Sequence, residues 1–291
     1  MSFRSINDFL LRARGVLAKG PVALIFVEDE VEIASTLDHH RKIGFRNLLL
    51  FMPDELVPEG LVDGPEAGVH RITYDTHARH AVPKAVNAVL AATPATTWLY
   101  WGYNAEYLFY PFCESRSVTE MLAFHAEERR KAMLSYVIDL YAGDLRQFPN
   151  AVDRGAAMFD RTGYYAMERI SADGLKLERQ VDVFGGIRWR FEEHIPWARR
   201  KLDRVALFRP HKGLRMRPDF TFSDEEYNTI ACPWHHNLTA AVASFRTAKA
   251  LRTNPGSADA IGSFAWGGSE HFQWSSKQLM ELGMIEPGQW F

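Results

Sequence analysis

The side chains whose types and spacing could do chemistry gather around Trp98–Cys113. There an aromatic run ending at Tyr103 gives way to Asn104 and Glu106 before aromatics resume. A polar break at the end of a buried strand is where open α/β sheets bind ligands. A carboxylate so placed can hold a cation or accept a hydrogen bond from a ribose or sugar hydroxyl. It can equally close the strand end as a salt bridge or cap. Other acids follow the earlier strand candidates: Asp29 and Glu30 after Val22–Val27, Asp54 and Glu55 after Asn47–Met52, and Asp75 after Val69–Tyr74. In a parallel sheet such ends share one edge, so these acids and Asn104 would rim one crevice. Loops at strand ends are also often acidic without function, and Asp29, just ahead of a helical pattern, could serve as an N-cap.

Two basic features add to this set. Arg188 follows Gly185-Gly186, a pair that allows close backbone approach, and Arg199-Arg200-Lys201 forms a short cluster. Arginine matches phosphate geometry in a bidentate way, and a solvated basic surface is the other use of such a cluster. The segment Cys232-Pro-Trp-His235-His236 has metal-ligand spacing in its Cys-x-x-His, but no second compact pair completes a zinc site.

Stepping along the chain gives the elements that must position these groups. Residues 2–19 have near-helical apolar spacing, suited to a helix packed on the outside of the domain or lying on a membrane surface. Val22–Val27, a helix over Val31–Ile43 stopped by Gly44, and Asn47–Met52 form a βαβ unit. The segment Pro58–Gly68 is a surface loop. Val69–Tyr74, a helix at Pro83–Ala91 and a strand at Thr97–Tyr103 continue the alternation. Ser117–Arg130 predicts a helix with a capping box of Ser117 and Glu120. Ala132–Leu140 predicts a strand, residues 142–162 a long loop, Val205–Phe208 a strand, Thr239–Leu251 a helix and Ser276–Leu282 another. No repeat, low-complexity tract or linker interrupts the chain, which points to one domain over 1–291.

The composition is ordinary for a folded soluble protein, with 47% hydrophobic and 24% charged residues among 291. A formal net charge of -2 implies no nucleic acid partner and at most a peripheral membrane association. The two cysteines, Cys113 and Cys232, imply no disulfide framework, and no apolar run suits a signal peptide or a membrane span. The expected location is cytoplasmic, at most peripheral to the inner face of the membrane.

In this order the pieces resemble a branch of the family 2 glycosyltransferases, the one with a C-terminal His-aromatic-Lys motif. Val27-Glu28-Asp29-Glu30 resembles the family's opening Val-Arg/Lys-Asn/Asp-Glu, and His39-His40-Arg41-Lys42-Ile43-Gly44-Phe45 its His-His segment. Glu106-Tyr107-Leu108-Phe109-Tyr110-Pro111 is similar to the end of Asp-x-Asp-Glu-Phe-Leu-x-Tyr-Pro, and Gly185–Arg188 to Gly-Gly-x-Arg. His235 falls on the His of the closing motif, and Trp274 with Gln278–Ile285 on the last helix. The resemblance implies a GT-A-like fold: a Rossmann-like, mostly parallel central sheet flanked by helices, with a C-terminal helical extension. It makes 1–130 the nucleotide-sugar half and 131–291 the acceptor half.

The function it implies is transfer of a sugar from a nucleotide-sugar donor to a glycan or other acceptor. Glu106 and His235 would be catalytic, and Asp29, Glu30, Asp54, Asn104 and Arg188 would line the donor. The family's cation is Mn²⁺ or Mg²⁺, held by Asp-x-Asp against the leaving diphosphate. Here those two acids fall on Tyr103 and Ala105, so Glu106 is the one surviving candidate ligand, and the final Lys becomes Asn237. Transfer would then be metal-independent. The alternative is a catalytically inactive relative that binds a sugar, a nucleotide or a partner protein.

Overall fold

A computed structural model of the protein describes residues 2–56, 64, 67–231 and 237–290. The elements run β1 (Ser2–Phe3), α1 (Ile6–Ala13), β2 (Val22–Phe26), α2 (Ile33–Lys42), β3 (Asn47–Met52), β4 (Val69–Thr73), α3 (Ala81–Ala92) and β5 (Leu99–Tyr103). They continue β6 (Glu106–Phe109), α4 (Val118–Glu127), β7 (Ala132–Tyr141), β8 (Met158–Asp160), β9 (Tyr165–Ile170), β10 (Lys176–Phe184) and α5 (Gly186–Arg190). Last come β11 (Asp203–Phe208), β12 (Ala240–Ser244), α6 (Arg246–Thr253), α7 (Pro255–Ala258), β13 (Ser269–His271) and α8 (Ser276–Glu281). The architecture is α/β, a mostly parallel mixed sheet with flanking helices, compatible with a Rossmann-like arrangement. Among the described residues no helix is long and apolar enough to cross a membrane.

The chain divides into two compact units. The first comprises Met1–Ala105, Cys113–Leu134 and Val205–Asn228. Its strands run in the order β1-β4-β3-β2-β5, all parallel, with the later part of β11 antiparallel to β5. Strands β2 and β3 read as continuous apolar runs because both faces of a parallel sheet are covered, and every residue of β2 is buried. The chain builds from β2 outward through β3 and β4 on one side and returns with β5 on the other. The topological switch point therefore lies at the carboxyl ends of β2 and β5.

The second unit comprises Glu106–Phe112, Ser135–Arg204 and Thr229–Phe291. In it β7 and β12 are parallel, β6 pairs antiparallel with β12, β8 joins β7 and β13, and β9 and β10 form a separate hairpin.

The main departure from the sequence expectation is Thr239–Leu251, which is not one helix. Ala240–Ser244 is a fully buried strand between β7 and β6, and the helix begins only at Arg246. Alanine's helix propensity is outweighed by a site that takes small side chains on both faces. Residues 142–162 contain the short strand β8 rather than loop throughout. The N-terminal helix is also shorter than expected: α1 gives way to a 3-10 turn at Arg14–Ala18, and Phe9 of α1 is buried. Most of Pro58–Gly68 lies outside the described residues.

The capping box forms as expected. Ser117 Oγ accepts from Glu120 N, and the Glu120 carboxylate accepts from Ser117 N at 2.7 Å. On the same helix His125 is buried, and its Nδ1 has no hydrogen-bond partner among the described residues. Burial, and next the nearby Arg130 guanidinium, hold its pKa down at about 3.

Two outcomes follow. Ser117→Ala should lower stability by about 1 kcal/mol in urea melts. For His125 the folded pKa lies below the unfolded one, so its contribution is complete above about pH 6.5, where both states are neutral. It declines by about 1.4 kcal/mol per unit as pH falls from there toward 3, because the unfolded chain takes up the proton first. The stability profile of His125→Leu should be flatter than that of the native protein between pH 6.5 and 4, and an unchanged slope would refute the assignment.

Candidate functional site

In the first unit the switch-point edge is organised by Asn104, which is fully buried. Strand β5 ends at Tyr103, and Asn104 and Ala105 form a turn in which Ala105 has a φ of 57°. The Asn104 Oδ1 accepts from Glu28 N at 2.9 Å. Its Nδ2 donates to Asp29 Oδ1 at 2.7 Å, to Val31 O at 2.8 Å and, more distantly, to Asp29 O at 3.1 Å. Ala105 N donates to Thr36 Oγ1 of α2 at 2.9 Å. One amide thus ties the end of β5 to the turn after β2, with the ends of α2 and β5 also joined. A buried amide with donors and acceptors engaged is a rigid clamp, since leaving any of them unmet costs about 1–3 kcal/mol.

Asp29 and Asn104 are therefore brought together, as both site assignments required. Asp29 does not cap α2: its Oδ1 accepts from Val31 N at 3.0 Å in a local turn, and the N-cap position is Glu32. Glu30 beside it is exposed and makes no hydrogen bond or ion pair with a described residue. The loop after β4 closes on the same edge. Thr76 Oγ1 donates to Val27 O at 2.7 Å, and His77 Nε2 lies 3.1 Å from Glu28 O. Asp75 is spent on its own turn, accepting from His77 N and Ala78 N. Asp54 is exposed at the end of β3 and accepts from Thr73 Oγ1 at 3.2 Å.

In the second unit Glu106 is fully buried, and both of its oxygens are engaged. Arg204 meets it in a bidentate pair at 2.5 and 2.9 Å, and Ser244 Oγ donates to Oε1 at 2.9 Å. Glu106 is thus the salt-bridged closure that the sequence left open as one of its uses. Ser244 is the register partner of both Glu106 on β6 and Asp139 on β7. The three side chains share one face in one row, which sets Asp139 about 10 Å from Glu106, two strand spacings away.

Arg188 reaches that row through Asp139. Its Nε and Nη2 meet the Asp139 carboxylate at 2.8 and 3.0 Å, and Nη1 donates to Lys201 O at 2.6 Å. The two glycines ahead of it do admit close backbone approach, but to the protein itself. A Cβ on Gly185 would lie 2.5 Å from Gly163 O, and its φ of +145° is one that L side chains rarely adopt. Of the basic cluster, Arg200 pairs with Glu192, Lys201 with Asp182, and Arg199 is exposed. His235 and the rest of Cys232–His236 lie outside the described residues.

Nothing local in the sequence marks Arg204 or Ser244, which lie 98 and 138 positions from Glu106. Sequence reasoning also missed Asp160. This buried acid accepts from Arg190 Nε and Nη2 at 2.7 and 3.0 Å, from Trp266 Nε1 at 2.8 Å and from Tyr141 Oη at 2.5 Å.

The chemistry these groups permit is specific. A divalent cation does not fit at Glu106, because its carboxylate already meets three donors and its neighbours Tyr103 and Ala105 supply no hard oxygen ligand. Among the described residues no three or more His, Cys, Asp or Glu side chains converge as a cation site. No protein-family model matches the chain, and no curated protein is significantly similar to it.

Each cluster has a distinct signature on removal. Arg204→Met should destabilise by about 3–5 kcal/mol, since it leaves a buried carboxylate uncompensated. Adding Glu106→Gln should recover part of that loss in denaturant melts, whereas a strictly additive double variant would show that the two do not act as a pair. Asn104→Ala should cost about 2–4 kcal/mol through the groups it orphans.

Proposed function

We propose that the chain is a GT-A-like protein, related to the family 2 glycosyltransferases, that binds a nucleotide sugar without a divalent cation. Its activity on this reading is sugar transfer to a glycan-type acceptor. The observation that carries it is the switch-point edge of the first unit, where Asp29, held by Asn104, stands beside the exposed Glu30, which has no side-chain partner among the described residues. Open parallel sheets bind nucleotides at such an edge, and carboxylates there accept from ribose hydroxyls. The collinear short motifs quoted above support the same reading.

In this reading Arg204 is not the counter-charge for a diphosphate, because its guanidinium is already paired with the buried Glu106. No step is assigned to a metal. Inverting transfer further requires a base for the acceptor hydroxyl. His235 is the residue that the resemblance offers for that part.

A second reading is favoured by one specific observation. Glu106 and Arg188, two of the side chains expected to act on substrate, are each saturated by a buried bidentate partner. A relative that keeps the fold to bind a nucleotide or sugar, without turning it over, would show that closure.

Thermal-shift and turnover assays with a panel of nucleoside diphosphate sugars, with Mn²⁺, with Mg²⁺ and with EDTA, separate these. The metal-free enzyme predicts a rise in Tm of a few degrees at saturating ligand, unchanged by EDTA, with slow hydrolysis or transfer. A shift without turnover selects the binding protein, and no shift across the panel removes both. Glu30→Gln should weaken binding roughly three- to tenfold and leave the Tm of the free protein unchanged, since the exposed Glu30 makes no hydrogen bond or ion pair with a described residue.

A further inference from the structure

The second unit contains a cleft of about 550 Å³, within the range of small-molecule sites. Its walls are mostly apolar. Val181 and Val183 project from the same face of β10 and are only half-buried, and Ile230, Leu282 and Met284 face the same space. Half-buried valines at alternate positions expose apolar area that a monomeric fold ordinarily covers.

One end of the cleft differs. Tyr136, Asn237, Thr239 and Glu286 line it. Thr239 and Glu286 are held together by Thr239 N donating to Glu286 O at 3.0 Å and Glu286 N donating to Thr239 Oγ1 at 2.8 Å. The Tyr136 hydroxyl makes no hydrogen bond with a described residue. Burial first, then the charges of Asp203 and Glu286, push its pKa up to about 12, so it stays protonated and can donate. Glu286 brings negative charge to this end and disfavours anions, whereas Asp203 is paired with Arg169 at 2.6 Å. Arg161, the cation among the described lining residues, lies 3.9 Å from Glu270.

We propose that this cleft binds an uncharged amphiphile, a hydroxyl-bearing head group on an apolar alkyl or aryl tail. The head lies at Tyr136 and Glu286, where the phenol donates to an ether or hydroxyl oxygen and the carboxylate accepts from a hydroxyl. The tail lies along Val181, Val183, Leu282 and Met284. This assignment does not depend on the nucleotide-sugar reading, because every residue it uses belongs to the second unit.

The test is calorimetric titration of the full chain with methyl β-glucoside, octyl β-glucoside and octyl sulfate, the last two below their micelle-forming concentrations. Each methylene withdrawn from water strengthens binding roughly fourfold, so octyl β-glucoside should bind more than about tenfold tighter than the methyl compound. Octyl sulfate should bind more weakly than octyl β-glucoside. Leu282→Asp, at an exposed position that tolerates charge, should abolish most of the octyl preference while circular dichroism stays native. Tyr136→Phe should weaken octyl β-glucoside several-fold and retain the octyl preference. Equal binding of methyl and octyl glucosides, or octyl binding untouched by Leu282→Asp, would overturn the site. Tighter binding of octyl sulfate would overturn the uncharged head group.

Discussion

The burial of the Glu106 carboxylate is the constraint on which the second unit's strand arrangement turns. Taking a carboxylate out of water carries a penalty of several kcal/mol, and it is tolerated only with an opposite charge and satisfied lone pairs. Arg204 supplies the charge in a bidentate fork, and Ser244 supplies the remaining donor. Because Ser244 is also the register partner of Asp139, the ion pair does more than neutralise Glu106. A slip of one residue between β12 and β6 would turn Ser244 to the opposite face and leave Glu106 without its hydroxyl. The charged row therefore specifies register where β12, built largely from alanine, offers few large side chains to do so.

The short helix α5 extends this logic. Arg188 and Arg190 leave it two positions apart and pair with different buried acids, Asp139 on β7 and Asp160 on β8. Both pairs are bidentate, so the helix is pinned in orientation as well as position. Gly185 is what lets the chain turn into that helix, since its backbone passes against Gly163 and Tyr164 where a Cβ has no room. A Gly-Gly-x-Arg sequence can thus arise from internal packing, with the arginine facing an aspartate in place of a phosphate.

Much of the first unit was legible because its signals are local. Continuous apolar or aromatic runs marked β2, β3 and β5, and the strand candidate Val69–Tyr74 became β4. Gly44 marked the end of α2, and Ser117 with Glu120 marked the start of α4. The placement of Asp29 and Asn104 on one edge followed from strand order alone. What escaped were features decided by partners far away in sequence. Ala240–Ser244 has the composition of a helix and becomes a strand only because β7 and β6 lie on either side. Glu106 carried two uses that its neighbours could not separate, and only Arg204 separates them. The β9–β10 hairpin has several exposed apolar residues and no clean alternation, so period-two patterning could not reveal it.

The distribution of charge also bears on what the switch-point edge can recognise. Asp29, Glu30, Asp54 and Asp75 all stand at the carboxyl ends of its strands, so its rim is acidic. A diphosphate set among such groups is repelled, whereas ribose and base hydroxyls and amines gain acceptors. Asn104 does not offset this, because its donor N–H groups are already directed at Asp29 and Val31. Recognition at this edge would therefore rest on the nucleoside, and charge compensation for phosphates would have to come from basic groups elsewhere in the chain. Arg188 is committed to Asp139 and is not free for that part. An enzyme assembled this way would bind nucleoside and nucleoside diphosphate with closer affinities than one whose donor site is built around a cation.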